Sequence, residues 1–169
     1  MRILIAPGAS GGIERLDPYV AGLARRGFDA SALDLPRSRT EPALARYREA
    51  LADLTPKETV IAGHSFGGRV ASLLASDTSV AGLVLFAYPL HPPGKPHLWD
   101  ERTSHWPGIS CPVLLLSGES DPFAQLDLLR TAVKRLPHAE LETYPRVRHG
   151  VTPVLDAALD RVADFLGRL

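Results

Sequence analysis

Cysteine is almost missing from this 169-residue chain, which contains a single one, Cys111. No disulfide can therefore form within the chain. Because Cys111 stands before Pro112 and an apolar run, we expect it to pack as an inert side chain in the interior. A chain of this length can bury about two-thirds of its unfolded surface without disulfides or a structural metal. We expect one domain, residues 1–169, around one hydrophobic core.

An excess of charge of either sign is also missing. Lys plus Arg and Asp plus Glu number 19 each, so the formal net charge is zero. The sequence therefore gives no electrostatic footprint for nucleic acid or for an anionic membrane. The first apolar run, residues 3–6, ends at Pro7 and is too short for a signal peptide or a membrane span. We expect a soluble cytoplasmic protein, and the oligomeric state stays open.

Short apolar runs alternate with amphipathic stretches along the whole chain. Apolar runs predict strands at residues 3–6, 59–62, 82–86 and 113–116. Residues 28–33 alternate and could form a second strand, and a sixth is expected near residues 141–144. Helical spacing predicts helices at residues 16–24, 40–54 with Thr40 as N-cap, around 70–74, 122–136, and from 152 to 166. This alternation indicates a mostly parallel sheet with helices on both faces. We interpret the segment from Tyr88 to Pro107, rich in Pro and His, as a long loop.

A serine flanked by glycines follows the third predicted strand, in the sequence Gly63-His64-Ser65-Phe66-Gly67. A sharp strand-to-helix turn of this kind holds the serine in a strained conformation, and the two glycines let neighbouring backbone pass. The amide of Phe66 and the helix dipole would then point to where an oxyanion forms. The alternative is a plain turn that contains a serine by chance. The strand before the motif and the helix after it favour a nucleophile.

A serine hydroxyl needs a base to take its proton, and in folds with this turn the chain order is serine, acid, histidine. His149 follows the last predicted strand, so it should lie at the same sheet edge as Ser65. The alternative is a surface histidine. The other five histidines suit the role less. His64 lies in the turn itself, with its side chain directed away from that of Ser65. His91, His97 and His105 come too early in the chain, and His138 lies in a solvated turn.

Two carboxylates follow the fifth predicted strand, Glu119 and Asp121. We favour Asp121 as the group that orients the imidazole of His149. Asp121 could also serve as a helix N-cap, with Pro122 as the first helical residue, and the two roles are compatible.

The loop after the first predicted strand reads Pro-Gly-Ala-Ser-Gly-Gly, residues 7–12. In this turn family the second oxyanion donor comes from that loop, and we nominate the backbone amide of Ala9. A phosphate-binding loop is the alternative. It fails because the lysine of the GxxxxGK[ST] motif is missing and the spacing does not match GxGxxG.

Several stretches resemble the α/β-hydrolase superfamily: Gly8-Ala9, the serine turn continuing to Ser72, Gly118 with Asp121-Pro122-Phe123, His149, and above all Tyr88-Pro89-Leu90-His91-Pro92-Pro93-Gly94-Lys95-Pro96. The likeness is greatest to small lidless members related to a testis-expressed eukaryotic protein and to a subunit of the nonspecific-lethal histone acetyltransferase complex. Bacterial members of that group are often called dienelactone-hydrolase-like. Two features depart from them. Relatives often have Arg-Ser-Met where this chain has His64-Ser65-Phe66, and dienelactone hydrolases proper use a cysteine at Ser65.

The resemblance implies a three-layer α/β sandwich with about six strands in the order 2-1-3-4-5-6 and no cap domain. It implies a serine hydrolase that cleaves a small ester or thioester through an acyl-Ser65 intermediate, without a metal or organic cofactor. We expect the segment from Tyr88 to Pro107 to form a wall of the pocket, with His91 and Lys95 in a rigid loop. The alternative is a non-catalytic relative that acts through partner binding.

Overall fold

The computed structural model describes residues 1–37 and 39–169. Its six strands are β1 (Arg2–Ala6), β2 (Asp29–Ala32), β3 (Thr59–His64), β4 (Gly82–Phe86), β5 (Val113–Gly118) and β6 (Ala139–Tyr144). All neighbouring pairs are parallel, and the sheet has the order β2-β1-β3-β4-β5-β6. The predicted fold class and strand order are confirmed. The carboxyl ends of all six strands therefore meet at one edge, where loops can bring distant residues together.

Six α-helices connect the strands: α1 (Asp17–Arg25), α2 (Thr40–Ala52), α3 (Phe66–Ala75), α4 (Trp99–Arg102), α5 (Leu126–Val133) and α6 (Leu155–Leu166). Alternate residues of a strand face opposite sides, so Leu4 packs towards α2 and α3 whereas Ile3 and Ile5 pack towards α1 and α6. The apolar interior is thus two layers, one on each face of the sheet, rather than the single core expected.

The N-cap predicted for α2 and the start predicted for α5 are wrong. Thr40 is the first residue of α2 and Arg39 is its N-cap. Helix α5 begins at Leu126 rather than at Pro122, and Gln125 is its N-cap. The physical reason is local: the Asp121 carboxylate accepts the Phe123 amide two residues on, at 2.8 Å, which closes a turn instead of starting a helix.

The segment from Tyr88 to Pro107 is more ordered than a loop. It contains a 3₁₀ turn at Pro96–Leu98, helix α4, and the start of a second 3₁₀ turn at Trp106–Gly108. Trp106 is fully buried, with its ring centroid 5.0 Å from that of Tyr88. The Tyr88 hydroxyl donates to the Arg102 carbonyl at 2.8 Å. Packing of these two aromatic rings therefore holds the segment against the layer that contains α3. Sequence periodicity does not reveal this contact.

Cys111 is buried, and burial raises the pKa of its thiol to about 11, as suits an unreactive interior side chain. Of the helices in residues 1–37 and 39–169, none is long and apolar enough to cross a membrane. The single domain and the cytoplasmic location stay predictions.

Candidate active site

The turn between β3 and α3 holds Ser65 at φ 50° and ψ −113°, a conformation that is strained for a residue with a side chain. The Ser65 amide donates to the Phe86 carbonyl at 2.8 Å, which fixes the turn to β4. Glycines make the turn possible: a Cβ on Gly67 would lie 2.4 Å from the Ala6 carbonyl oxygen, and one on Gly63 would lie 2.2 Å from the Gly67 backbone. The Ser65 hydroxyl therefore stands above the carboxyl edge of the sheet.

Three of the predicted site residues meet at this edge. The Ser65 Oγ lies 2.9 Å from His149 Nε2, and His149 Nδ1 lies 2.8 Å and 3.0 Å from the two Asp121 carboxylate oxygens. The Asp121 side chain is fully buried. Because a carboxylate can only accept, Nδ1 of His149 carries the hydrogen, and the Nε2 lone pair faces the Ser65 hydroxyl. The arrangement is suited to proton transfer from Ser65 to His149.

The loop between β6 and α6 carries His149 to Ser65 by crossing the end of β5. A Cβ on Gly118 would lie 2.2 Å from the Val147 carbonyl oxygen, so only glycine lets the two backbones approach. The Ser120 amide donates to that same Val147 carbonyl at 2.9 Å. On the other side, the Phe123 ring packs 4.4 Å from the His149 ring. Backbone contact and ring packing together fix the imidazole.

Glu119, the alternative acid, faces away from the site. Its carboxylate accepts the Thr143 hydroxyl at 2.9 Å, on β6. Asp121 is therefore the carboxylate that the fold brings to His149.

Two further histidines are held in the interior. His91 is buried: its Nε2 accepts the Gln125 amide at 3.0 Å, so its Nδ1 donates to the Pro92 carbonyl at 2.9 Å. His105 Nε2 lies 2.8 Å from the Ser72 hydroxyl. Burial and the nearby Arg69 guanidinium lower the pKa of His105 to about 4. These histidines tie the segment from Tyr88 to Pro107 to α3 and α5. His97 and His138 are exposed.

The two predicted oxyanion donors occupy different settings. Phe66 is the first residue of α3, so its amide has no partner within its own helix. Ala9 is exposed in the loop after β1. Its neighbour Gly8 approaches Ser65 so closely that a Cβ there would lie 3.6 Å from the Ser65 Cβ. Both amides remain predicted donors.

A pocket of about 280 Å³ opens beside His149 and is lined by most of the loop after β1, by Tyr19 of α1, and by His64 and Thr152. The segment from Tyr88 to Pro107 does not line this pocket, because Tyr88 and Trp106 pack into the opposite layer of the sheet. It does line a second pocket of about 550 Å³ beside Asp121, through His91, Gly94 and Pro96. The expected wall therefore stays a prediction. Within the described residues no three His, Cys, Asp or Glu side chains are placed to hold a metal ion.

Sequence reasoning gave His64 no role, yet its ring lies 5.6 Å from the ring of His149 and lines the pocket. Burial, as the largest cause, together with the neighbouring His149 and Arg15, lowers the pKa of His64 to about 4, and Asp121 opposes them. His64 is therefore neutral near pH 7. In the sequence, the only signal for a role of His64 is its position directly before Ser65.

Comparisons with known proteins agree with this architecture. The monoacylglycerol lipase of Paleococcus ferrophilus superposes with a TM-score of 0.83 at 15% identity, covering 98% of this chain and 93% of the lipase. A Pyrococcus furiosus esterase gives 0.80 at 17% identity, covering 99% and 82% of the two chains. The thioesterase domain from the curacin biosynthetic pathway gives 0.77 at 13% identity, covering 98% and 90%. At such identities these structures show the shared fold. The family described as "Alpha/beta hydrolase domain" matches residues 34–162 in sequence, and the chain belongs to that family.

Proposed function

We propose that this protein is a serine hydrolase that cleaves a small ester or thioester through an acyl-Ser65 intermediate. One observation carries the proposal: the unbroken chain of hydrogen bonds from the Ser65 hydroxyl through His149 to the buried Asp121 carboxylate. A hydroxyl, an imidazole and a carboxylate in this order form an activated nucleophile.

In the first half-reaction, Ser65 Oγ bonds to the acyl carbon while His149 Nε2 takes the hydroxyl proton. The bond to the alcohol or thiol then breaks, and His149 gives its proton to that leaving group. In the second half, His149 takes a proton from water, the hydroxide attacks the acyl carbon, and Ser65 regains its proton as the carboxylic acid leaves. Asp121 holds the tautomer and stabilises the imidazolium throughout.

Each half-reaction passes through a negatively charged oxygen. The amides of Phe66 and Ala9 are our proposed donors to it. Phe66 stands at the start of α3, where its amide has no helical partner and the helix dipole favours negative charge. Donors of this kind typically contribute 10²–10³-fold each, on the order of 3–4 kcal/mol. No metal or organic cofactor takes part in the proposed steps.

Ester and thioester chemistry is also supported by the comparisons, since the similar structures include a lipase, an esterase and a thioesterase. The finer likeness to the testis-expressed and nonspecific-lethal-complex proteins depends on the run Tyr88–Pro96. The proposed substrate is a small acyl compound.

A fluorophosphonate probe tests the proposal directly. We expect covalent labelling of Ser65 in folded protein near neutral pH, and loss of labelling in Ser65→Ala. Turnover of an activated ester should fall on the order of 10³-fold or more in that variant.

Ser72→Ala is the matched control. Ser72 is also hydrogen-bonded to a histidine, His105, but it is buried within α3. Labelling should survive this change. If the probe fails to label wild-type Ser65, the protein is a non-catalytic relative that acts by binding.

A further inference from the structure

The lining of the pocket beside His149 carries a positive charge that no lining carboxylate balances. In the part of the chain that the structure describes, Arg15 is the only lining side chain with a permanent charge, and no carboxylate lines the pocket. None of the ion pairs among the described residues includes Arg15. An arginine without a counter-ion at the rim of a pocket is suited to bind an anion.

The fold holds Arg15 over the pocket. Its side chain lies across Gly11, where a Cβ would come within 2.4 Å of Arg15 Cδ, and Gly11 has a φ of 122°. Arg15 lines the pocket together with His64 and His149, and it is the smallest of the causes that lower the pKa of His64, after burial and His149. Arg15 therefore faces the same space as His64 and His149.

The other polar groups of the pocket can act as donors. Tyr19 is buried with its ring edge-on to Phe86, and burial raises the pKa of its hydroxyl, so that hydroxyl stays protonated. Thr152 adds a second hydroxyl to the lining. His64 adds no second positive charge near neutral pH, because it is neutral there. The pocket thus combines neutral hydroxyl and imidazole groups with one fixed cation.

One carboxylate approaches from outside. Glu14 folds back onto Gly12, where a Cβ would lie 2.0 Å from its Oε2. Glu14 does not line the pocket and makes no ion pair with Arg15. It can weaken an anion site but does not occupy it.

We propose that the substrate of the Ser65 site carries an anionic group, a carboxylate or phosphate a few atoms from the scissile bond, and that Arg15 binds it. This inference rests on the proposed function, because it takes Ser65 as the group that cleaves the substrate. It deepens that function by naming the substrate class. A charge-assisted hydrogen bond at an exposed arginine is expected to favour the anionic ester by up to about tenfold.

The experiment compares esters that differ only in charge. On the acyl side, mono-4-nitrophenyl glutarate is compared with 4-nitrophenyl pentanoate; on the alcohol side, 4-acetoxybenzoate is compared with its methyl ester. We expect the wild type to prefer one anionic member about tenfold in kcat/KM, mainly through KM. Arg15→Gln should lower kcat/KM for the anionic ester about tenfold more than for the neutral ester, and Arg15→Lys should restore part of the preference.

Arg25→Gln is the matched control, an exposed arginine on α1 outside the pocket, and it should leave both rates unchanged. Glu14→Gln should keep or increase the preference. Equal loss of both esters in Arg15→Gln, or no preference in either pair, would overturn the inference.

A binding measurement needs no turnover. In Ser65→Ala protein, calorimetry should show that monomethyl glutarate or 4-acetoxybenzoate binds about tenfold more tightly than its methyl ester, and Arg15→Gln should abolish the difference. Selective binding without turnover or probe labelling would keep the anion site and reject the hydrolase. Turnover without charge selectivity in either assay would keep the hydrolase and reject the anion site.

Discussion

Gly118, at the end of β5, lies directly against the backbone of Val147, two residues before His149. A Cβ on Gly118 would come within 2.2 Å of the Val147 carbonyl oxygen and 2.3 Å of the Arg148 carbonyl oxygen. Backbone atoms cannot give way as a flexible side chain can. The absence of one methyl group therefore sets how close the histidine-bearing loop comes to the sheet, and with it the distance between His149 and Ser65.

Gly118→Ala should displace the loop and separate His149 from Ser65. A misplacement of about 1 Å costs on the order of 10²-fold in rate, so we expect a loss of about that size in kcat/KM for an activated ester. Gly167→Ala is the control, because its Cβ would meet nothing closer than 3.4 Å at the end of α6. If Gly118→Ala retained full activity in folded protein, the contact would not position His149.

Asp121→Asn should lower kcat on the order of 10³-fold or more, because an amide can donate to Nδ1 and favour the wrong imidazole tautomer. Glu119→Gln should change kcat by less than about twofold, since its carboxylate accepts only the Thr143 hydroxyl. Steady-state kinetics of the two variants on one activated ester shows which carboxylate orients His149. The opposite ranking would assign the acid role to Glu119.

Tyr47→Phe should destabilise the fold by about 1–3 kcal/mol, measured as the free energy of unfolding in urea. The buried Tyr47 hydroxyl lies 2.6 Å from the Leu4 carbonyl oxygen and 2.9 Å from that of Ala62, and it accepts the Ala62 amide at 3.1 Å, so it bridges β1 and β3. Removing the hydroxyl takes one hydrogen-bond partner from each of these buried backbone groups.

Tyr144→Phe is the matched control for that substitution. Its hydroxyl oxygen is also buried but has no hydrogen-bond partner among the described residues. We expect a change within about 0.5 kcal/mol or a small gain in stability. Equal losses in the two variants would mean that the Tyr47 hydroxyl contributes nothing specific.

Stability should fall as the pH is lowered from about 6.5 to about 4. Burial lowers the pKa of His105 from 6.5 to about 4, and Arg69 contributes to the shift. In that window the unfolded chain binds the proton and the folded protein does not, so the free energy of unfolding decreases as pH falls. One such group contributes at most about 1.4 kcal/mol per pH unit.

His105→Gln should therefore make the pH dependence less steep in urea titrations between about pH 7 and about pH 4.5. His64, whose pKa is also lowered to about 4, should keep part of the slope in that variant. His138→Gln, at an exposed position, should leave the slope as in the wild type. An unchanged slope in His105→Gln would contradict the prediction.

The strands and the serine turn could be predicted because they depend on neighbouring residues. All six predicted strands are present, and the glycines at 63 and 67 mark the turn at Ser65. Helix starts were less predictable: Pro122 suits a first helical turn, but the Asp121 carboxylate is bound to His149 and to the Phe123 amide. The turn that this carboxylate closes with the Phe123 amide replaces the predicted first helical turn.

By itself the sequence determined the α/β layout, the strained turn at Ser65 and the short set of candidates for its partners, since periodicity and glycine spacing act within a few residues. Only the tertiary structure decided that Asp121 rather than Glu119 meets His149, and that a pocket lined by Arg15 and His64 opens beside His149. These outcomes depend on how the loop carrying Val147 crosses β5 at Gly118. Such contacts join parts of the chain far apart in sequence, which no local pattern encodes.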